Sequence, residues 1–527
     1  MLRRGLFGGA LLVALLALLI RWIPSPCAIR PVSGRNNTVL FLVNSEPGLS
    51  NIYVATASAL SEKHPHVHIH FASFPKLGSQ LNRVSAHGAR KSKARPIEFH
   101  RLSGPSYTAC VVASGRSMSS AVSPPGIAGI KQLCKDIQFW VSPWSGDEHL
   151  ALYQEINNLI DQVDPAVVVL DTLLRPAIDA TRDRNWQHMI MSPNTVIDNF
   201  PMEQPWGAMF WKYPAMGSGL PFPVPWLKIP ENIYLNIRFI YSVLFMPDVK
   251  VKRDFLKSKG LKDPINFYAL YRPDVPWLTQ TLPEASRPVD MVPVNVTCTG
   301  PISLSLGMVA EQDEDLARWL ANAPTVLINL GSGFMWLEPQ AEAMAQAVAN
   351  ILRSNPKLQI LWKFRTEEDG LREYNVTVKP YSDDFKVEIL PFLENGRLKM
   401  ERWLVADPTS LLESGHIVAS VHHGGTGCYH EAVGAGIPQV ILPQWLDLYN
   451  FAQMSEDLNI GTWGCRELSP QWTSECLQDA ILKVADGGVA SATMKKNAAR
   501  LGKLAQSDPG RYVAAKEIAR IAGLGNP

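Results

Sequence analysis

Cysteine is sparse in this sequence, and neither positive nor negative charge is in marked excess. The seven cysteines spread over 527 residues form no CxxC pair and no cluster with histidine, which argues against a zinc site or a disulfide scaffold. An odd number leaves at least one thiol free or in an intermolecular bond. Fifty Lys+Arg against forty-eight Asp+Glu give a net charge of +2, so no broad field points to nucleic acid or another polyanion as partner. Internal repeats and low-complexity blocks are absent too, which excludes solenoid and linker-type architectures. What is present is apolar material: 46% hydrophobic side chains over this length supply two globular cores rather than one.

Long hydrophobic runs are limited to one, the uncharged stretch from Gly5 to Ile20, preceded by Arg3 and Arg4 and followed by Arg21 and Trp22. Its sixteen residues make a helix of about 24 Å, short of a ~30 Å hydrocarbon core unless Arg21 snorkels. A signal-anchor and a cleaved signal peptide both fit. No A-x-A-like cleavage site follows, so residues 1–36 are expected to be a single-pass membrane anchor and linker, placing the protein at the endoplasmic reticulum; secretion after cleavage is the alternative. The sequons at Asn36, Asn295 and Asn375 would be glycosylated only in a lumen.

From residue 37 the chain alternates strand and helix. Val39–Val43 and Ala166–Leu170 are continuous apolar runs of the kind buried parallel strands show, His66–Phe71 alternates as another strand, and Ile52–Leu60 reads as a helix between the first two. This grammar predicts an α/β, doubly wound parallel sheet over 37–271. Prolines at 276, 283, 288 and 293 leave no periodic element in 272–301, which reads as the interdomain linker. A second αβ series, 302–510, has strands at Thr325–Leu330, Leu358–Trp362 and His416–His422 and a helix from about Pro339 to Leu352. The tail, 511–527, carries an amphipathic helix over Arg511–Ile521.

The third of these strands runs straight into His422-His423-Gly424-Gly425-Thr426-Gly427-Cys428-Tyr429-His430-Glu431. Three glycines between a strand end and a helix let an anion approach backbone amides closely, and those amides bind phosphate. A histidine at the entry can donate to the same phosphate, and Glu431, a little over one turn into the helix, can accept from ribose hydroxyls. A plain tight αβ turn explains the glycines alone; the joint pattern is stronger.

Several separated segments occur in the order found in one family: Ile328-Asn329-Leu330-Gly331-Ser332, Leu361-Trp362-Lys363-Phe364, His423 to Glu431, and Gly434-Ala435-Gly436-Ile437-Pro438 through Pro443 to Asp447. In these the sequence resembles the UDP-sugar-dependent glycosyltransferases of the GT-B fold, and among them the fungal UDP-glucosyl/glucuronosyltransferase-like proteins. The resemblance implies two Rossmann-like domains facing across a cleft, with the acceptor in the N-terminal domain, the donor in the C-terminal one, and the last helix packing back on the N-terminal domain. It makes His423 the diphosphate ligand, Gly425, Thr426, Gly427 and Cys428 the turn whose amides complete that site, Ser332 a cap from the opposite loop, Glu431 the ribose acceptor and Asp447 an acceptor of sugar hydroxyls. The sequence departs from the family at Cys428, where serine is common, and at Leu448, where glutamine commonly follows the acid. The family's Trp-x-x-Gln is absent in its usual spacing; Trp403 lies two residues off and either stacks on uracil or is core.

The resemblance also implies a catalytic histidine after the first strand, and Leu49 stands at its position in Asn44-Ser45-Glu46-Pro47-Gly48-Leu49. Glu46 is the nearest group able to accept a proton, against an ordinary turn carboxylate; Asp171, at the end of its strand, is the orienting acid or itself the base, against a helix N-cap. The expected activity is inverting transfer of a hexose, glucose foremost, from a UDP-sugar to a hydroxyl of a hydrophobic small molecule such as a secondary metabolite, with no metal and no cofactor beyond the donor. A sterol or lipid glucosyltransferase, and a UDP-sugar- or lipid-binding pseudoenzyme, remain alternatives. His64, His66, His68 and His70 at alternate positions have a spacing that suits metal, although a solvated strand face explains them without one. Asp313-Glu314-Asp315 reads as a charged helix start. Eleven aromatics and seven prolines between 200 and 245 meet something apolar: an acceptor pocket, a shallow membrane contact, or a core of irregular loops.

Overall fold

The computed structural model describes residues 30–526 apart from 93, 272 and 375–383. Two parallel sheets form it. The first has the order β3-β2-β1-β4-β5-β6-β7, with β1 Arg35–Leu42, β2 His68–Ser73, β3 Glu98–Arg101, β4 Pro165–Asp171, β5 His188–Ser192, β6 Trp277–Thr279 and β7 Val296–Cys298. The second has the order β10-β9-β8-β11-β12-β13, with β8 Thr325–Ile328, β9 Gln359–Lys363, β10 Leu398–Glu401, β11 Ile417–His422, β12 Gln439–Ile441 and β13 Gly461–Trp463. Every pairing within them is parallel.

The apolar runs end up where their composition requires. Val167 and Val169 of β4 face one layer with Val39 and Phe41, while Val168 and Leu170 face the other with Leu40 and Leu42. Strands buried on both faces have no polar alternation to show. The strand order switches direction at β1/β4 in the first sheet and at β8/β11 in the second. Crevices open beyond the strand carboxyl ends at such switch points.

The proline-rich stretch is not an element-free linker. β6 and β7 lie within it and extend the first sheet through β6 pairing with β5. Three residues per strand are too few to display a period, and the flanking prolines, which cannot donate to a ladder, hid them further. The final helix, Gly510–Ala522, lies against the helix Pro47–Lys63 and β1 and β4, placing Ala514, Ala515 and Ile518 in the first core. Tyr512 Oη donates to Glu62 Oε2 at 3.1 Å, and the backbone of Asn526 pairs with that of Gly34.

The structure adds one bond the sequence did not mark and overturns the membrane reading. A disulfide joins Cys465, after β13, to Cys476, in the helix Ser474–Ala485; eleven residues apart, the two had no motif spacing to mark them, and the turn between brings their Cα atoms to 5.3 Å. Among the described residues no helix is long and apolar enough to cross a membrane. The run from Gly5 to Ile20 on which the anchor rested lies outside the described residues, as does the sequon Asn375, and the single-pass anchor and the endoplasmic reticulum assignment are withdrawn.

The returning helix carries a stability prediction. Ile518 is fully buried, and truncating such a side chain to alanine costs roughly 2–5 kcal/mol. Urea denaturation of Ile518→Ala should show that loss without altering ligand affinity, because the contact lies behind the first sheet.

Candidate active site

A cleft of about 3430 Å³ runs between the two sheets, lined by the loops that follow their strands. On the C-terminal side, β11 ends at His422 and Gly424 takes φ +87°, a left-handed conformation that favours glycine. The helix Thr426–Ala435 then begins with Gly425 as its N-cap, so the free amides of its first turn face the cleft. A Cβ at Gly427 would meet nothing within 4 Å, so this flank of the turn is open.

His423 is wedged between two loops. A Cβ at Gly425 would stand 2.5 Å from its Cε1, and one at Gly331, where φ is +86°, would stand equally close. The Trp445 ring meets the imidazole at 61° with centroids 5.8 Å apart. Burial, with His422 and Lys363 adding to it, drives the His423 pKa down to about 3, so the ring is neutral at ordinary pH. Its Nδ1 is buried without a partner, a cost that an incoming ligand group bonded to it would relieve.

Opposite, the loop after β8 turns at Gly331, whose amide donates to Asn329 Oδ1 at 3.2 Å. Lys363 closes the buried strand β9 and donates from Nζ to Gly331 O at 3.0 Å, with its ammonium 4.1 Å from the Trp403 ring centroid. Burial lowers the Lys363 pKa to about 8. Ser332 lines the cleft here, and its carbonyl accepts from Arg365 Nη1 at 3.5 Å. Trp403 is 48% exposed and lines the cleft, which removes the core alternative.

The acidic pair is strongly perturbed. Burial raises Glu431 to about 7, Asp407 adding to the rise and Lys363 opposing it. Asp447 is likewise raised to about 7 by burial, with Asp198 adding to it. Cys428 is pushed up to about 12 by burial and by Glu431, so it stays a thiol and a weak donor.

The N-terminal wall supplies Glu46, which lines the cleft as N-cap of the helix Pro47–Lys63. Its Oε1 accepts from the Thr108 amide at 2.8 Å, and its Oε2 is buried without a partner. Leu49 lines the same wall. Asp171 sits beneath it, 1% exposed, accepting from the Asn44 amide at 3.0 Å and the Leu173 amide at 2.8 Å. Burial raises its pKa to about 6 despite those bonds. Asp171 therefore holds the loop from behind, and Glu46 is the residue of the two that lines the cleft.

The cleft thus gathers Glu46, Ser332, Trp403, His423, Gly425, Thr426, Gly427, Cys428, Glu431 and Asp447, and leaves Asp171 behind its wall. The Thr426 hydroxyl is committed elsewhere, donating to Pro193 O across the cleft at 2.7 Å, which leaves only the Thr426 amide for a ligand. Asn194 Nδ2 reaches Asp447 Oδ2 at 3.3 Å from the same N-terminal loop. Sequence reasoning assigns no role to Lys363, Arg365 or Asn194. A lysine directly after the apolar run Ile360–Trp362 was a usable signal; nothing local marked the other two.

The comparisons with known proteins fit this arrangement. The model of the family described as "Erythromycin biosynthesis protein CIII-like, C-terminal domain" matches residues 409–520, the stretch holding the glycine turn. Glycosyltransferase sdnJ of Sordaria araneosa is 32% identical over 509 residues, covering 91% of this chain and 97% of its own. By that relative the chain belongs to the glycosyltransferases, and its fold is the GT-B one. A 2-hydroxyacylsphingosine 1-beta-galactosyltransferase of Mus musculus is 24% identical over 54% of this chain and 45% of its own. Among solved structures, Os79 from O. sativa in complex with U2F and trichothecene aligns over 92% of this chain and 100% of its own, with TM-score 0.61 at 16% identity. A UDP-glucosyltransferase from Polygonum tinctorium aligns over 93% of this chain and 99% of its own, with TM-score 0.56 at 16% identity. At that identity the likeness speaks for the fold.

The raised carboxylate gives a two-sided prediction. Between the ordinary glutamate pKa of about 4.3 and the folded value near 7, the folded protein keeps a proton that the unfolded chain releases. Stability therefore falls as pH rises through that window, and Glu431→Gln should flatten the fall, raising Tm at pH 8 more than at pH 5. In calorimetry the same variant should bind UDP more weakly.

Proposed function

We propose that the protein transfers a hexose, glucose foremost, from a UDP-sugar to a hydroxyl of a hydrophobic small molecule, with inversion and without a metal. The observation that carries this reading is the opposition across one cleft of an unpartnered carboxylate oxygen on Glu46 and a phosphate-type site at His423 and the helix Thr426–Ala435.

In this mechanism the donor diphosphate lies against the amides of Gly425, Thr426, Gly427 and Cys428, capped by Ser332, with the imidazole of His423 and the ammonium of Lys363 beside it. Glu431 accepts from the ribose, Asp447 from the sugar hydroxyls, and Trp403 offers its exposed face to the uracil. Glu46 Oε2 takes the acceptor's proton as the acceptor oxygen attacks the anomeric carbon. The bond from that carbon to the diphosphate breaks on the opposite face, and UDP leaves with the electron pair. Amides, imidazole and ammonium hold the developing charge without reorganising. Attack from the face opposite the leaving group inverts the anomeric centre.

A hydrophobic acceptor is supported by the aromatic segment. Phe210, Tyr213, Phe239 and Tyr241 line the N-terminal part of the cleft around the helix Ile229–Leu244. The relatives fit as well: among them are sterol 3-beta-glucosyltransferases, one from Sclerotinia sclerotiorum being 26% identical over 171 residues.

Two measurements test the reading. His423→Ala should weaken UDP binding about ten- to a hundredfold, the worth of a hydrogen bond to an ionised phosphate; unchanged affinity in calorimetry sinks the phosphate site. Glu46→Gln keeps the acceptor for the Thr108 amide while removing the base. It should lower turnover with a panel of lipophilic alcohols by about 10²–10⁴-fold and spare UDP affinity. Parent-like turnover refutes Glu46 as the base. Asp171→Asn should instead lose stability, because one of two buried amides loses its acceptor, at roughly 1–3 kcal/mol.

A further inference from the structure

At the free edge of the first sheet, β2 and β3 run parallel with His70 beside Glu98 and Ala72 beside His100. Side chains alternate along a strand, so His70, Glu98 and His100 share one face. His70 Nδ1 lies 3.0 Å from His100 Nε2 and 3.4 Å from Glu98 Oε2. The three ligand atoms all fall within 4.8 Å of one another. Metal bonds of about 2.0–2.2 Å at tetrahedral angles place neighbouring ligand atoms roughly 3.3 Å apart, and the two short separations bracket that value.

The alternating histidines of the sequence contribute one member only. His64 and His66 meet edge-to-face with centroids 6.0 Å apart, and His68 Nδ1 is taken by Arg95 Nη1 at 3.1 Å. The second imidazole and the carboxylate come from the neighbouring strand, which alternation along β2 could not reveal. Burial holds both His70 and His100 below the usual histidine pKa, leaving neutral rings, the form that binds metal. Without an ion, one ring must donate its proton to the other across the 3.0 Å contact. Moving that proton to the donor ring's other nitrogen leaves two lone pairs facing one position. The His70 side chain is 12% exposed and that of Glu98 64%, so the position is walled on the protein side and open to water on the other.

We propose that His70, Glu98 and His100 bind a divalent ion of the zinc class, which clamps the four-residue edge strand β3 to β2. The site lies outside the cleft and does not take part in transfer. A short edge strand with one paired side is the part of a sheet that gains most from such a clamp.

Titrating the metal-free full chain with Zn²⁺ in a calorimeter should show one ion bound per chain, and Co²⁺ should give the absorption bands of a four-coordinate site. His100→Ala should weaken zinc binding by at least about tenfold and leave UDP affinity unchanged. Glu98→Gln, at an exposed position, should weaken it too and serves as the second variant if His100→Ala does not fold. Removing His64 and His66 together should change nothing. No zinc binding up to about 1 mM, parent-like binding by Glu98→Gln, or loss of binding on removing His64 and His66 would each overturn the assignment.

Discussion

The imidazole of His423 fills the space that side chains at Gly331 and Gly425 would need, and the donor half of the cleft is built around that contact. β8 and β11 are neighbours in the second sheet, so the loops leaving their carboxyl ends start side by side. Glycine at both positions lets one ring be gripped by both loops. The grip fixes where the ring's nitrogens point, and Lys363, from the strand on the far side of β8, ties its ammonium to the carbonyl of Gly331. Three adjacent strand ends thereby converge on one anion-sized position.

The same burial sets the charge of the cleft. Of the groups around the donor position, Glu431 and Asp447 are both raised to about 7, while Lys363 is lowered to about 8 and His423 to about 3. Desolvation penalises whichever form is charged, so in the unliganded cleft His423 is neutral, Glu431 and Asp447 titrate near neutral pH, and Lys363 keeps its charge only up to about pH 8. A diphosphate and sugar hydroxyls supply the partners those groups lack. Polar groups held in place before the ligand arrives need little rearrangement when charge moves.

The two walls are also held together by direct bonds. Thr426 reaches Pro193, Asn194 reaches Asp447, and Tyr449 Oη donates to Ser123 O at 2.6 Å. Arg83 and Asp407 pair across the opposite flank at 2.6 Å. Some residues around the donor position thus also set the spacing of the halves. This is the physical reason the hydroxyl of Thr426, which sequence position alone would offer to phosphate, is occupied elsewhere.

The αβ grammar, the long buried strands and the glycine turn are legible along the chain, because each is written in contiguous residues: continuous apolar runs, a strand ending in His422-His423, glycines where a backbone must turn. The sequence also brought Glu46, His423 and Glu431 forward as candidates, since their positions follow from the loops and helix that carry them. It did not show β6 and β7, whose three residues each are too short for a period, nor the Cys465–Cys476 bond, which depends on how one turn folds. Folding in three dimensions is what puts Asp171 behind the wall and Glu46 in the cleft lining, joins Lys363 to His423, and brings His70 to His100 rather than to its own strand's histidines. Those relations belong to strand order and register. Long-range pairing sets them, and spacing along the chain does not encode it.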